Sequence, residues 1–204
     1  MPTDLFYRLS YVKQQHIIDA IKAEITRVPY EEFSIYNVVH QCGISRGSFY
    51  QYFTSREDIY IYLLSDYNRL MIERFIQSLE EHDGDYFIAL EEAFRFGVRM
   101  LCYKDSKIYR QHLFCNAEFY QRIWKDNDFS AEKHPILSQA FRLININKLN
   151  IHDEEELKTF ITICMATVAR ECISLVLNNT YEEVACASFM KKLNLLKRIF
   201  QKQE

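Results

Sequence analysis

The sequence predicts an all-α chain of about nine helices, and three observations carry that prediction. Only four Gly and three Pro occur in 204 residues, so long stretches contain neither helix breaker. Apolar residues recur at three- and four-residue spacings over those stretches. Capping and stop residues then fall where the periodic stretches begin and end. A hydrophobic content of 49% is ample for a packed core. The length suits one small module plus one larger helical body.

In chain order, residues 5–28 read as a first helix, with Leu9, Val12, Ile17, Ile21 and Ile25 as its inward stripe. Pro29 ends it, because proline cannot continue the hydrogen-bond ladder. Ser34 is a good N-cap for a second helix whose apolar face is Ile35, Val38 and Val39. Gly43 stops that helix, since glycine tolerates the left-handed backbone such a stop needs. Ser45 caps a third helix almost at once, with Phe49 and Phe53 four residues apart as inward anchors. Two short capped helices joined by a tight turn form a helix-turn-helix, whose second helix normally enters the major groove of DNA.

Ser55 and Asp58 make a capping box for a long helix to about Glu81, buried along Ile59, Leu63, Tyr67, Leu70, Met71 and Phe75. Arg56 lies in its first turn, where the helix dipole favours an acid, and a phosphate would resolve that mismatch. The turn His82–Asp85 follows. Residues 86–103 carry the stripe Phe87, Leu90, Phe94, Val98 and Leu101. An irregular aromatic zone covers residues 105–124, residues 125–135 have loop composition, and residues 136–146 read as helical. Acids at 153–156 open a helix to about Leu177. Asn178, Asn179 and Thr180 turn the chain into a last helix over residues 181–200.

The runs Cys42-Gly43-Ile44-Ser45, Arg46-Gly47-Ser48-Phe49-Tyr50, Tyr52-Phe53 and Ser55-Arg56-Glu57-Asp58 resemble the N-terminal signature of the TetR family of transcriptional regulators. The likeness covers about the first 70 residues; Val39 and Cys42 stand where Ala is usual. It implies a three-helix DNA-binding domain over residues 1–54 and a helical effector-binding and dimerisation domain over residues 55–204. It also implies that Ser45, Arg46, Gly47, Ser48, Tyr50, Gln51 and Tyr52 face the groove or its rims, with Ser34, Tyr36 and Arg56 on phosphates. Arg46, Ser48 and Gln51 are the base readers by chemistry. The partners so implied are a palindromic double-stranded operator and a second copy of the chain, paired through the last two helices.

Aromatic residues make up 15% of the chain, which suits either a Phe/Tyr-rich core or an aromatic-lined pocket. Candidates for a small hydrophobic or aromatic effector are Tyr67, Met71, Phe94, Met100, Tyr103, His112, Phe119, Tyr120, Trp124 and Met165. Arg170-Glu171, within an otherwise apolar helix, reads as a dimer contact first, or else as an internal ion pair or a polar handle for a ligand. The alternative is that the helical body binds a protein partner.

Net charge is −3, and the first 70 residues are nearly balanced. DNA affinity must then rest on a few well-placed cations, hydroxyls and backbone N–H groups. The six cysteines (Cys42, Cys102, Cys115, Cys164, Cys172 and Cys186) show no metal-finger spacing, so reduced thiols in a cytoplasmic protein are expected. His82, His112, His134 and His152 form no i,i+4 pair; no metal or other cofactor is expected. No signal peptide and no apolar run approaching 18 residues appear, so no membrane association is expected. Nucleophile-elbow, P-loop and metalloprotease motifs are absent, which argues against an enzyme.

Overall fold

Local caps set where the helices start in the computed structural model, which describes residues 1–103, 107–114, 135–178 and 180–202. Ten α-helices are described: α1 (Asp4–Tyr7), α2 (Tyr11–Arg27), α3 (Ile35–Cys42), α4 (Arg46–Tyr52), α5 (Arg56–Glu81), α6 (Tyr86–Tyr103), α7 (Lys107–Phe114), α8 (Pro135–Leu143), α9 (Glu154–Leu177) and α10 (Glu182–Phe200). The all-α class holds, and among the described residues the only β feature is the isolated bridge Leu149–Gln201. The chain forms two compact units, Met1–Tyr67 with Asp105–Asp126, and Asn68–Lys104 with Asn127–Glu204.

In the first unit, Ser34 accepts the Asn37 N–H at 3.4 Å and Ser45 accepts the Ser48 N–H at 3.0 Å. Gly43 ends α3 at φ 65°. The single first helix expected over residues 5–28 is instead broken between Tyr7 and Tyr11. Gln14 Nε2 donates to the Leu9 carbonyl at 2.9 Å and the Tyr7 carbonyl at 3.3 Å, taking up acceptors freed by the break. The break lets Phe6 sink fully into a ring cluster with Phe53 at 5.1 Å and Tyr62 at 5.7 Å. Ile17, Ile18, Ile21 and Ile25 face inward as the periodicity requires, but Val12 is 75% exposed and leaves the stripe. Phe49 and Phe53 are fully buried and stack at 5.5 Å.

Ser55 Oγ accepts the Asp58 N–H at 3.2 Å, the first half of the expected box. The return bond is displaced by one residue, since Asp58 Oδ2 accepts from the Thr54 N–H at 3.2 Å. Helix α7 also belongs to this unit: Tyr109, Leu113 and Phe114 are buried, and Phe114 meets Tyr67 edge-on at 5.7 Å.

In the second unit, the α6 stripe Phe87, Leu90, Phe94, Val98 and Leu101 is wholly buried. Phe94 stacks on Phe189 of α10 with centroids 3.9 Å apart, and Phe160 of α9 meets Tyr86 at 4.9 Å. Asp153 accepts the Glu156 N–H at 2.8 Å and Glu156 accepts the His152 N–H at 2.8 Å, a reciprocal cap for α9. The turn after α5 is stitched to residues 143–148. Gly84 stands at φ 70°, and a Cβ there would lie 2.4 Å from the Leu143 carbonyl oxygen. Lys148 Nζ donates to the Asp83 carbonyl at 2.9 Å.

Uninterrupted apolar runs are short, as the sequence shows, and α9 (Glu154–Leu177) is the one described helix that is long and apolar enough by composition alone to cross a membrane, as a buried core helix also can be. Leu157, Phe160, Ile161, Cys164, Val168 and Cys172 spend that apolar character on the interior of the unit.

Candidate nucleic-acid interface and interior cavity

The side chains of α4 sort cleanly by face. Phe49 anchors the inner side, whereas Ser45, Arg46, Gly47, Tyr50 and Gln51 are exposed, and Ser48 and Tyr52 are half-buried. Arg46 Nη2 donates to the Tyr50 hydroxyl at 3.4 Å, and its guanidinium carbon lies 5.6 Å from the Tyr50 ring. The Ser45 and Ser48 hydroxyls lie 2.8 Å apart. A Cβ at Gly47 would meet only Ser45 Oγ, at 3.8 Å, so the fold itself has room for a larger residue there. On α3, Tyr36 is 67% exposed and stacks on His40 at 6.2 Å. The outer side of α3 and α4 therefore presents hydroxyls, an amide, a guanidinium and a bare backbone position, the inventory used on phosphates and base edges.

Arg56 departs from the phosphate-binding expectation. Its Nη1 donates to the Tyr30 carbonyl at 2.9 Å and the Glu31 carbonyl at 3.2 Å, and its guanidinium stands 4.4 Å from the Tyr30 ring. The helix-dipole mismatch is thus met within the chain. Tyr30 OH donates to Glu57 at 2.7 Å. Burial and that bond push the Tyr30 hydroxyl up to about 12, and the Glu57 carboxyl is held below its usual range, chiefly by Tyr30.

Two positioning contacts escaped the sequence reading. Glu24, 3% exposed, accepts from the Ser34 N–H at 3.1 Å, from Asn37 Nδ2 at 3.1 Å and from Arg27 at 2.7 Å. Burial alone would raise its pKa, but the bonds from Arg27, Asn37 and Ser34 outweigh it and the net shift is downward. A lone acid on α2, between Ala23 and Ile25, carries no local signal for a partner ten residues away. Thr3 likewise donates its N–H to the Tyr52 carbonyl at 2.9 Å, closing the end of α4.

In the second unit an apolar cavity of about 80 Å³ lies among α5, α6, α8 and α9. Of the effector candidates, Met71, Phe94 and Met165 line it, together with Phe75, Tyr86, Ile161 and others. Met100 instead lines a surface groove with Arg74, Arg95 and Arg99. Tyr67 and His112 belong to the first unit, where His112 Nδ1 lies 2.6 Å from the Ile25 carbonyl oxygen. The side chain of Tyr103, and Phe119, Tyr120 and Trp124, lie outside the described residues.

Glu171, 5% exposed, pairs with Lys192 of α10 and not with its neighbour Arg170, which is exposed. Glu81, His82 and Glu92 bring potential metal-ligand atoms within 4.8 Å of one another. Arg74 already donates to Glu81 at 3.2 Å and to Glu92 at 2.5 Å, so an ion there would compete with a guanidinium. The described cysteines are free thiols. Burial pushes Cys164 and Cys172 up to about 12, leaving them protonated at neutral pH.

Residues 17–63 match the family described as bacterial regulatory proteins, tetR family, and residues 85–198 match the tetracyclin repressor-like C-terminal domain. The second match alone spans more than half of the chain. The chain belongs to the TetR family of transcriptional regulators. Members of this family are DNA-binding regulators rather than enzymes. Its fold is similar to that of the regulator FadR from Bacillus subtilis in complex with stearoyl-CoA, at 21% identity over 89% of this chain and 96% of that one, TM-score 0.59. A transcriptional regulator from Mesorhizobium loti is similar at 16% identity over 94% and 98%, TM-score 0.59. Reduced NemR from E. coli is similar at 15% identity over 94% and 100%, TM-score 0.58. No curated protein sequence matches this TetR-family regulator.

Proposed function

We propose that this TetR-family regulator is a dimeric, ligand-responsive repressor that binds an inverted-repeat operator in the cytoplasm and is released by a small-molecule effector. The observation that carries the DNA reading is the exposed face of α4: Arg46, Tyr50 and Gln51 stand out while Phe49 is wholly buried. Arg46 and Gln51 read base edges with Ser48, and Ser45, Gly47, Tyr50 and Tyr52 line the groove or its rims. Ser34 and Tyr36 hold phosphates, and Arg56 fixes the loop before α3 beside them. Two copies related by a twofold axis set two α4 helices about one DNA turn apart.

Pairing through α9 and α10 is supported by Ile163, Val184, Leu195 and Ile199, exposed apolar side chains on these two helices (42%, 55%, 56% and 60%). A second copy docked through α9 and α10 would bury them. The apolar cavity supports a small molecule over a protein partner for the second unit, and FadR in complex with stearoyl-CoA is similar to this chain in fold. The effector acts by binding better to the arrangement of α5 in which the paired α4 helices no longer match the operator.

Selection from a random-sequence duplex pool tests this reading. It predicts enrichment of an inverted repeat bound by a particle of twice the chain mass. Enrichment of unrelated sequences, or binding by a monomer, would overturn it.

A further inference from the structure

Resting on the effector reading above, the walls of the apolar cavity restrict what can fill it. Every lining side chain is a hydrocarbon or a methionine except Tyr86, and that residue gives the cavity its ring alone. The Tyr86 hydroxyl is buried and interacts with the Cys164 thiol of α9. Water gains nothing in such a space, because a buried water needs about two to four polar partners. Left empty, the space weakens the fold, since its walls lose packing contacts on one side. Met71, Ile72, Phe141 and Met165 are half-buried, whereas Ala93, Ala140 and the remaining walls are buried. The cavity thus runs from a rim near the surface to an inner end that offers no donor and no acceptor.

We infer that the cavity takes a short unbranched hydrocarbon chain, end first, and that any polar group of the ligand stays at the rim. A polar atom carried to the inner end would be desolvated with no partner, and a charge there would be costlier still. Size separates a chain from a ring. The volume of about 80 Å³ is well under the roughly 150 Å³ of an engineered apolar cavity that admits benzene. A rigid ring would have to force packed walls apart, which costs stability. A chain is narrower and bends at each bond, and the unbranched side chains of Met71 and Met165 adjust to it at the rim.

The test is a thermal-melting series on the full chain with three alcohols at equal concentration: 1-butanol, its branched isomer 2-methyl-2-propanol, and 1,4-butanediol. The isomer has no chain to separate from its hydroxyl, and the diol must bury one hydroxyl unpaired. In 1-butanol at several times its dissociation constant, the wild type should melt about 2–4 °C above its temperature in either of the others. Ala93→Leu and Ala140→Leu put a side chain into the space, and each should lose that difference. Equal melting in the three alcohols, or a folded leucine variant that keeps the 1-butanol response, would overturn the inference. The comparison of alcohols needs only the wild type, so it decides even where a leucine variant does not fold. Binding to the selected duplex keeps the two readings apart. Stabilisation by 1-butanol that leaves duplex affinity unchanged upholds the chain chemistry and sinks the effector reading. Intact duplex binding with no preference for 1-butanol sinks the chain chemistry alone.

Discussion

The Glu24 carboxylate accepts the Ser34 backbone N–H at 3.1 Å, so a buried acid of α2 holds the residue that caps α3. The same oxygen takes Asn37 Nδ2 at 3.1 Å. The orientation of the helix-turn-helix is thereby tied to a charge outside it. Glu24→Gln removes that charge and puts an amide N–H among donors. It should cost about 1.5–3 kcal/mol at neutral pH in urea unfolding. Because the folded pKa lies below the ordinary 4.5, Glu24 contributes its stability above that value, and the contribution is lost as pH falls through the lower folded pKa. The gap between wild type and variant should therefore shrink below pH 4.5; a gap independent of pH would contradict the role given to the charge.

Gly47 has space around it that the fold does not use. Gly47→Ala should raise stability by about 0.5–1 kcal/mol, since alanine loses less backbone freedom in a helix. If the bare backbone there serves close approach to a phosphate, the same variant should bind the selected duplex about tenfold more weakly, on the order of 1.4 kcal/mol. A stabilised variant with unchanged affinity would show that Gly47 does not face DNA.

Two glycines share the left-handed conformation but not their surroundings. At Gly43 a Cβ would meet nothing within 4 Å, so Gly43→Ala should cost about 1–2 kcal/mol from the backbone alone. At Gly84 it would meet the Leu143 carbonyl oxygen at 2.4 Å and the Asn145 nitrogen at 2.6 Å. Gly84→Ala should exceed the Gly43→Ala cost by at least about 1–3 kcal/mol, because backbone must shift. Equal melting temperatures for the two variants would contradict that difference.

Glu171 is buried and paired with Lys192. Lys192→Met leaves the acid without its partner and, with the lysine itself half-exposed, should cost about 1–2 kcal/mol in chemical unfolding, whereas adding Glu171→Met should recover most of it. A double variant no more stable than Lys192→Met would rule out the pair as the cause.

What the sequence made legible was local. Ser34, Gly43 and Ser45 mark their helix ends because a cap is a bond between residues three or four apart. The α6 stripe was equally readable, since its period needs no knowledge of the partner. The break between α1 and α2 was not, because Val12 continues the period that Leu9 begins, and only the burial of Phe6 against Phe53 decides against one helix. Glu24 and Thr3 were missed for the same reason: their partners lie far along the chain. Met71, Phe94 and Met165 line one cavity, but Met100, Tyr67 and His112 were candidates on the same grounds and lie elsewhere. Composition names candidates for a cavity; packing chooses among them.

The central claim is that the exposed face of α4 reads DNA. Fluorescence anisotropy with the selected duplex, at one fixed salt concentration, tests it most directly by comparing wild type with Tyr50→Ala and Arg46→Ala. Both side chains are exposed, so both variants should melt within about 0.5 kcal/mol of wild type. Each should lose about 1–3 kcal/mol of duplex affinity, and the Arg46→Ala loss should fall on particular base pairs of the site. Unchanged affinity in both variants, with melting also unchanged, would contradict the account.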